Sequence, residues 1–389
     1  MARLLDEDPE ERALPPSRID LDLSDVAALV VDEHRAAPCA VVAAARRAGG
    51  VIVRGIGAAG RLWSDERAPP ATVETIFDLA SVTKPFTALA LARLERAGHL
   101  RREEPLAGVL PALAGTRSAR VPLDLLAAHR AGLDGHRPIY APLVEGGAVD
   151  PERALVIAAD ARREECGGDP PSEGFAPVYS DLGYLLLGAS LAARGGDALD
   201  RVLDREVSGP LGLDVGSARW HRARGHGFDD RVAPTEVVAW RGVVRGAVHD
   251  ENAWAVTADG AAGHAGLFGD ARSVLDLGLA VLDMLAGRSA FLAPADLAPV
   301  LRDRPGGSLL AGFDRRSGAA PSSGSRFGAR TFGHLGFTGT SLWIDPEAEV
   351  VGVLLTNRVH PTRDTDAIRR ARPAVYDALW DALHDRRAR

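Results

Sequence analysis

The stretch Phe77-Asp78-Leu79-Ala80-Ser81-Val82-Thr83-Lys84-Pro85 joins a loop to a helix and carries the most informative chemistry in the chain. Apolar residues recur at helical spacing over residues 82–97, so the loop ends where this helix begins. Ser81 and Lys84 are three residues apart and project from one helix face, about 5 to 6 Å apart at Cβ. Their hydroxyl and amine can therefore meet. The unpaired backbone N–H groups of a first helical turn also favour a developing negative charge at Ser81.

Lys84 is the only lysine in a chain of 389 residues, so the rest of the 46 basic residues are arginine. This bias suggests that a lysine needed only for its positive charge was exchangeable for arginine. Arginine keeps its proton in a protein, whereas a lysine that is desolvated or set beside other cations can lose its proton and act as a base. Composition alone leaves two interpretations open: Lys84 was retained by chance, or it was retained because it acts as a base.

Two further motifs carry polar side chains at the edges of regular elements. Tyr179-Ser180-Asp181 directly precedes a predicted helix over residues 182–193, so Tyr179 is either a proton carrier or a buried anchor beside a helix cap. The stretch Gly333-His334-Leu335-Gly336-Phe337-Thr338-Gly339 leads into a predicted hairpin. Its glycines would let a substrate backbone approach closely, and strand alternation aims His334 to one face. Taken alone, His334 also fits a structural role.

In this order and on these elements, the three motifs resemble those of the penicillin-binding proteins and β-lactamases, closest to the class C-like and esterase branch. The signatures of that branch are Ser-x-x-Lys, then Tyr-x-Asn, then Lys/His-x-Gly on a strand. The resemblance covers residues 24–385. It extends to two further stretches, LLAAHRAGL at residues 125–133 and GHAGLF at residues 263–268.

The resemblance implies a role for each residue that matches the family's motifs. Ser81 would be the nucleophile, and Lys84 would be the amine that takes its proton. Tyr179 would pass that proton to the leaving group and later activate the water that releases the acyl group. The backbone N–H groups of Ser81 and Phe337 would form the oxyanion hole, and His334 would occupy the basic position of the third motif. The implied chemistry calls for no metal and no cofactor.

Two residues depart from the family's pattern. Asp181 replaces an asparagine by an anion near Lys84, which favours the protonated amine. Leu335 stands where a threonine or serine hydroxyl often helps to bind a substrate carboxylate. With Leu335 and a mostly neutral His334, we expect weaker carboxylate recognition than in a true β-lactamase, which favours ester or amide substrates. The predicted substrate-binding residues are Asp181, Leu335, Gly336 and Thr338.

Both ends of the chain carry a predicted pair of strands. Near the start, β-branched and small apolar runs at residues 40–45 and 51–56 flank Gly49-Gly50, which is a hairpin signal. Near the end, residues 340–344 and 350–355 flank another turn in the same way. The segment between the two hairpins is mostly helical in its apolar spacing. We therefore expect one sheet that is built from both chain ends and interrupted by a helical insertion.

The predicted fold class is α/β (α+β), and the resemblance implies a β-lactamase/transpeptidase-like fold with an antiparallel sheet flanked by helices. We assign residues 21–389 to one catalytic unit. Its α/β lobe would comprise residues 21–80 and about 265–389, and its helical lobe about 81–264. Residues 1–20 are acidic and contain Pro15-Pro16, so we expect a disordered tail there.

Composition and charge argue against several classes of function. The 46 basic and 53 acidic residues give a net charge of −7 and a pI near 5.9, the wrong sign for binding a nucleic-acid backbone. No apolar run reaches the roughly 18 residues of a membrane helix, and the acidic start is unlike a signal peptide. We therefore expect a cytoplasmic protein without a membrane span. Cys39 and Cys166 show no spacing typical of a disulfide framework or a zinc site.

The sequence thus predicts a metal-free serine hydrolase that cleaves a small-molecule ester, amide or peptide through an acyl-Ser81 intermediate. A D-alanyl-D-alanine carboxypeptidase or a weak β-lactamase is the alternative within the same class. Outside that class, a substrate-binding protein that keeps the fold without turnover is the other hypothesis. The oligomeric state is left open.

Overall fold

The computed structural model describes residues 17–225 and 227–385. The strands are β1 (Ser17–Asp22), β2 (Cys39–Ala48), β3 (Val51–Gly60), β4 (Phe77–Asp78), β5 (Val215–Gly216), β6 (Val237–Val238), β7 (Gly242–Val243), β8 (Phe268–Gly269), β9 (Asp314–Arg315), β10 (Phe332–Leu335), β11 (Ser341–Asp345) and β12 (Val350–Thr356). The helices are α1 (Ser24–Ala28), α2 (Thr83–Arg96), α3 (Leu106–Val109), α4 (Leu123–Ala127), α5 (Ala141–Val144), α6 (Pro151–Asp160), α7 (Asp181–Gly195), α8 (Leu199–Leu203), α9 (Ala218–Arg224), α10 (Phe228–Arg231), α11 (Glu251–Thr257), α12 (Ala271–Leu285), α13 (Pro294–Leu297) and α14 (Ile368–His384).

A seven-stranded sheet in the order β1-β3-β2-β12-β11-β10-β9 takes its strands from both ends of the chain. The two predicted hairpins are confirmed, because β2 pairs antiparallel with β3 and β11 pairs antiparallel with β12. Gly49 and Gly50 make the first turn with φ of 58° and 78°, values that glycine adopts without strain. Pairing of β12 with β2 joins the two hairpins into the single sheet expected from the sequence.

Strand β1 corrects the predicted tail. It pairs in parallel with β3 from Ser17 onward, so residues 17–20 belong to the sheet and not to a disordered segment. The edge of β3 offers backbone groups that need partners, and Ile19 and Leu21 pack against a buried cluster beside the sheet. The rest of the predicted tail, residues 1–16, lies outside the described residues.

Side chains on the two faces of the sheet enter two different cores. Alternation along β2 sends Val41 and Ala43 to one face and Val42 and Ala44 to the other. The first face is covered by α12 and shares its core with α2 and α7, whereas α1 and α14 cover the second face. Each fully buried valine contributes about 1.5 to 3 kcal/mol by leaving water. The sheet is therefore the middle of three layers.

Helices α2 and α7 lie in the segment that the sequence predicts to be helical. A 3₁₀ turn at Ala80–Val82 leads into α2, and both helices begin within a residue of the predicted starts. Three short strands in the order β4-β8-β5 form a second sheet, and β4 ends directly before the 3₁₀ turn. Within residues 17–225 and 227–385, none of the helices combines the length and the apolarity needed to cross a membrane.

Candidate active site

Ser81 lies in the tight turn between β4 and α2. Ala80, directly before it, has a φ of 47°, a left-handed conformation that strains a residue with a Cβ atom. The buried Asp78 carboxylate braces this turn, because it accepts hydrogen bonds from the backbone N–H groups of Ala80, at 2.8 Å, and of His249, at 2.7 Å. The predicted nucleophile is therefore carried by a strained loop whose neighbours hold it in place.

The amine of Lys84 lies at the centre of a group of polar atoms. Its Nζ atom is 3.0 Å from Ser81 Oγ, 2.6 Å from the Tyr179 hydroxyl and 2.7 Å from Asp181 Oδ1. The Tyr179 hydroxyl is 2.9 Å from Ser81 Oγ. The Lys84 side chain is fully buried, whereas 37% of Tyr179 is exposed. The fold thus brings residues of the first two predicted motifs into direct contact.

Electrostatics set the resting protonation of this group. Burial alone would lower the pKa of Lys84, but the Asp181 carboxylate and the Tyr179 phenol together raise the pKa above its usual value. Burial also raises the pKa of Tyr179, against the opposing effect of the neighbouring ammonium group. At neutral pH the site therefore holds a lysine ammonium and a neutral phenol. The contribution of Asp181 agrees with the expectation that its carboxylate favours the protonated amine.

His129 packs against Tyr179 and helps to fix its orientation. The two rings stack with their centroids 4.7 Å apart. The Nδ1 atom of His129 accepts a hydrogen bond from the backbone N–H of Ser180 at 2.9 Å. Burial and the Lys84 ammonium hold the pKa of His129 well below its usual value, so the ring stays neutral and can accept. The stretch at residues 125–133 contained this histidine, but nothing in it pointed to a position beside Tyr179.

Strand β10 brings the third motif to the other side of Ser81. His334 is buried, and its Nδ1 atom donates to the Leu335 carbonyl at 2.8 Å. Burial and the Lys84 ammonium lower the pKa of His334 to about 3, so the ring is neutral. The ring lies 6.0 Å from that of Tyr179, centroid to centroid, and does not line the cavity in front of Ser81. Strand alternation turns Leu335 into that cavity instead, so the predicted basic residue is not part of its lining.

The turn after β10 packs against the loop that precedes α2. Gly336 lines the cavity, and a Cβ atom there would come within 1.9 Å of Thr340 Oγ1 and 2.7 Å of the Leu79 carbonyl oxygen, so only glycine fits. Thr338, predicted to bind substrate, is buried, and its hydroxyl donates to the Asp78 carbonyl at 2.8 Å. Its hydroxyl is therefore used to tie the two loops together and does not face the cavity.

Two arginines hold the peptide groups on either side of Phe337. The Nη2 atom of Arg372, in α14, donates to the carbonyls of Gly336, at 2.9 Å, and Thr340, at 3.0 Å. Arg358 donates from Nε to the Phe337 carbonyl at 2.8 Å. In a trans peptide the N–H points away from the carbonyl, so the bond to Gly336 turns the Phe337 N–H away from Arg372. Burial lowers the pKa of Arg372 to about 10, which leaves it charged at neutral pH.

A cavity of about 630 Å³ lies in front of Ser81. Its lining includes Tyr179, Asp181, Leu335, Gly336 and Phe337 from the predicted set, together with Arg358, Arg363, Arg369 and Arg372. No sequence motif pointed to these arginines, because they are four among the many arginines of the chain. Arg363 is ion paired with Glu236 and Glu251. Asp364 and Asp366 line the cavity as well, so its wall carries charges of both signs that the motifs did not predict.

Two histidine and carboxylate pairs lie near the site. His249 Nε2 is 2.9 Å from Glu236 Oε2, and His264 Nε2 is 3.0 Å from Asp250 Oδ1. The ring of His249 also stacks on Phe337, with centroids 5.7 Å apart. In the described part of the chain, no three His, Cys, Asp or Glu side chains are grouped so that they could hold a metal ion. Each pair joins side chains from two separate segments of the chain near the site.

The fold and the site together define a hydrolase of the serine β-lactamase and penicillin-binding-protein type. The family model for Beta-lactamase matches residues 27–376, and the chain belongs to this family. An N-acetylmuramyl-L-alanine amidase of Bacillus subtilis is 31% identical over 74% of this chain and 68% of the relative. A putative D-alanyl-D-alanine carboxypeptidase of Escherichia coli K12 is 29% identical over 76% of this chain and 72% of the relative.

Solved structures show the same fold. EstCE1, described as a hydrolase with promiscuous acyltransferase activity, matches with a TM-score of 0.66 and 24% identity, over 92% of this chain and 97% of that one. A class C β-lactamase from Rhodobacter sphaeroides matches with a TM-score of 0.63 and 20% identity, over 92% and 100% of the two chains. The β-lactamase/transpeptidase-like fold expected from the sequence is confirmed.

Proposed function

We propose that this protein hydrolyses an ester or amide through a covalent acyl intermediate on Ser81. The observation that carries the proposal is the cluster of Ser81 Oγ, Lys84 Nζ and the Tyr179 hydroxyl, in which each atom lies within 3.0 Å of the other two. A serine hydroxyl becomes an effective nucleophile when a proton acceptor lies within hydrogen-bond distance. Ser81 and Tyr179 also line a cavity that could hold a substrate.

Lys84 and Tyr179 act together as the proton acceptor. Their polar atoms are 2.6 Å apart, so they titrate as a coupled pair. The resting ammonium and phenol are both protonated, so the pair releases one proton before the attack. It then takes the proton of Ser81 while the serine oxygen bonds to the substrate carbonyl carbon. That proton passes to the leaving group, whose bond to the carbonyl carbon breaks.

Release of the acyl group uses the same pair. A water molecule attacks the acyl-Ser81 carbonyl and gives a proton to the Lys84 and Tyr179 pair, which returns a proton to Ser81 as the ester bond breaks. Tyr179 is the member of the pair that is partly exposed, so its hydroxyl is the one that entering water can reach.

The negative charge that develops on the carbonyl oxygen is held by the backbone N–H groups of Ser81 and Phe337. The Ser81 N–H lies before α2, where helical N–H groups have no carbonyl partner within the helix. Arg372 supports the second donor, because its hydrogen bond to the Gly336 carbonyl orients and polarises the N–H of the next residue. One such donor typically contributes about 3 kcal/mol to the transition state.

Substrates without a carboxylate beside the reacting carbonyl are preferred. Leu335 presents an isobutyl group to the cavity, and an isobutyl group donates no hydrogen bond to a carboxylate. Arg363, which also lines the cavity, is already paired with two glutamates. A simple ester or amide therefore fits this position better than a penicillin does.

A D-alanyl-D-alanine carboxypeptidase is the second candidate function. A relative with 29% identity carries that name, and its match extends over 76% of this chain. A weak β-lactamase would use the same acyl-enzyme chemistry on a cyclic amide. Both alternatives place the acyl group on Ser81 and differ from the first proposal in the substrate alone.

Intact-mass measurement after exposure to a fluorophosphonate, and separately to a penicillin, tests the proposal. We expect a fluorophosphonate adduct that maps to Ser81 and is absent from Ser81→Ala. An adduct on another serine, such as the buried Ser341, would overturn the assignment. A penicillin adduct on Ser81 that forms faster than ester hydrolysis would favour the second candidate. A binding protein without turnover predicts no adduct and no burst of product.

A further inference from the structure

A second cavity, of about 530 Å³, adjoins the cavity in front of Ser81. We call it the remote cavity. Its walls come from residues 35–38, the loop at residues 60–66 and the segment at residues 358–365. Arg358 and Thr365 line both cavities, so a substrate that extends past Arg358 from Ser81 enters the remote cavity.

Much of the wall of the remote cavity is apolar. The side chains of Ala36, Ala37, Pro38, Trp63 and Pro361 contribute to it. An alkyl or aryl chain placed against them would leave water, at a gain of about 0.8 kcal/mol for each buried methylene group. The shape and composition therefore suit the apolar part of an elongated substrate.

The remote cavity also contains guanidinium groups whose charge is not cancelled by their hydrogen-bond partners. Arg61 donates to the Ala68 carbonyl at 2.7 Å. Arg358 donates to the carbonyls of Phe337, Arg363 and Thr365. Carbonyl oxygens satisfy the N–H groups but carry no net charge, so both cations keep their attraction for an anion. Arg35 adds a third cation, and both Arg35 and Arg61 are exposed, whereas Arg358 is half-buried.

Two carboxylates on the rim oppose these cations only in part. Asp65 and Glu66 line the remote cavity but are exposed, and Asp65 accepts a hydrogen bond from the backbone N–H of Arg67 at 2.7 Å. Exposed charges are screened by salt much more than half-buried ones. His360 is neutral at pH 7, because burial lowers its pKa. The half-buried charge in the remote cavity is therefore the cation of Arg358.

We propose that the remote cavity is a subsite for the far end of the substrate and that it selects an apolar chain ending in a carboxylate. The inference rests on the proposed acyl transfer at Ser81, because a substrate must be anchored there to span both cavities. The proposal distinguishes two positions at which a substrate can carry a carboxylate. A carboxylate beside the reacting carbonyl meets Leu335, whereas a carboxylate at the far end meets Arg358 and Arg61.

A series of p-nitrophenyl esters tests the proposal. The mono-p-nitrophenyl esters of dicarboxylic acids, from succinic to dodecanedioic acid, are compared with the p-nitrophenyl esters of n-alkanoic acids of the same chain length. We expect the ratio of kcat/KM for the charged ester to that for its neutral partner to rise with chain length and reach a maximum of about fivefold or more. A ratio that stays flat or falls with length would overturn the proposal.

Three variants locate the anion site. Arg61→Gln should lower the maximum ratio by about twofold, because it removes one cation of the remote cavity and leaves Arg358 in place. Arg369→Gln removes an exposed arginine that lines the Ser81 cavity alone, and Arg120→Gln removes an exposed arginine that lines neither cavity. Both of these variants should keep the length-dependent ratio. Loss of the ratio in Arg369→Gln but not in Arg61→Gln would place the anion in the Ser81 cavity and refute the proposal.

Equilibrium binding separates this inference from the proposed function. Calorimetric titration of Ser81→Ala with the monoamide of nonanedioic acid, and with nonanamide as the uncharged control, needs no turnover. We expect the monoamide, which keeps one terminal carboxylate, to bind more tightly than nonanamide and to lose part of that advantage when Arg61→Gln is added. If this binding holds but no ester is hydrolysed, the proposed function fails and the subsite stands. If esters are hydrolysed but Arg61→Gln leaves both assays unchanged, the subsite fails alone.

Discussion

On the helical side of Ser81, polar side chains meet one another, whereas on the strand side they are bonded to the backbone. Lys84 Nζ is within 3.0 Å of oxygen atoms on Ser81, Tyr179 and Asp181. Across the cavity, His334 bonds to the Leu335 carbonyl and Arg372 to the Gly336 carbonyl. One side of the site is thus built from contacts between side chains, and the other side from contacts between side chains and the backbone.

The two sides of the site therefore have different roles in the proposed reaction. A network of titratable side chains can exchange protons, because the Lys84 amine and the Tyr179 phenol can each lose a proton and take one back. Side chains bonded to carbonyls instead fix the position of peptide groups, and those peptide groups supply donors that need not move during the reaction. Substitutions on the helical side should therefore change chemistry and pH dependence. Substitutions on the strand side should change orientation and selectivity.

The largest effect is expected at Lys84. Lys84→Arg should lose about 10³-fold in kcat/KM, because arginine keeps the charge but cannot give up its proton. Hydrolysis of p-nitrophenyl acetate measures the loss, and thermal unfolding followed by circular dichroism shows whether the fold is retained. Because the site is buried, Lys84→Met serves as a less bulky second variant and should be equally inactive. Near-normal turnover in Lys84→Arg would show that the lysine acts only as a positive charge.

Tyr179→Phe removes one hydroxyl from the same network. We expect turnover to fall about 10²-fold and the acyl-enzyme to accumulate, because the hydroxyl that water reaches during acyl release is lost. Intact-mass spectra taken during turnover of an ester detect the accumulated species. Tyr140→Phe is the matched control, since Tyr140 lies outside the cavity lining. Unchanged turnover would mean that Tyr179 is an anchor and that the proton travels through Lys84 alone.

Substitution of Arg372 tests whether the strand side orients the Phe337 N–H. Arg372→Met should lower kcat by about 30-fold with little change in KM, because the Phe337 N–H loses the bond that orients it and contributes mainly in the transition state. Arg372→Lys can still donate to the Gly336 carbonyl and should recover part of kcat. Steady-state kinetics on one ester, with melting temperatures as the fold control, make the comparison. A change confined to KM would assign Arg372 to substrate binding.

Asp181→Asn tests how the helical side sets the pH dependence. The Asp181 carboxylate raises the pKa of Lys84, and the pair must lose a proton before it can accept one from Ser81. Removing the carboxylate lowers that pKa, so the acidic limb of the kcat/KM profile should move to lower pH, with roughly threefold higher activity at pH 7. Asp364→Asn removes another carboxylate from the cavity lining and should leave the limb in place. A shift to higher pH in Asp181→Asn would contradict the proposed base.

The smallest effect concerns selectivity at Leu335. Leu335→Thr should raise kcat/KM for a penicillin or a D-Ala-D-Ala peptide relative to a short p-nitrophenyl ester by about 1 kcal/mol, or about fivefold. The comparison is a ratio within each variant, since the change could also loosen β10. If the wild type already prefers penicillins, or if the ratio does not move, Leu335 is not the discriminating position.

The sequence was most informative where geometry is local. Ser81 and Lys84 are three residues apart on a helix, and the spacing alone brings their side chains together. The Gly49-Gly50 turn likewise joins two strands that are neighbours in the chain. Motif order then added Tyr179 as the partner from a second element. These parts of the fold and site needed no knowledge of distant contacts.

Expectations that depend on orientation were less secure. His334 and Thr338 lie in the predicted motif, yet both are buried and do not line the cavity. Alternation shows that neighbouring strand residues face opposite ways, but only the packing of β10 against the Ser81 loop shows which face meets the cavity. The prediction that residues 17–20 are disordered was wrong for a related reason. These residues pair with β3, which lies far from them in the sequence.

The sequence by itself thus determined the contact of Ser81 with Lys84, the two hairpins and the family. The tertiary structure decided which of the many arginines lie at the site and which groups they contact. Arg372 reaches the Gly336 carbonyl across 36 residues of chain, and His129 reaches Ser180 across 51. A side chain's partners at such separations follow from how helices and strands pack in space, and packing depends on the whole set of buried surfaces. No local pattern encodes them.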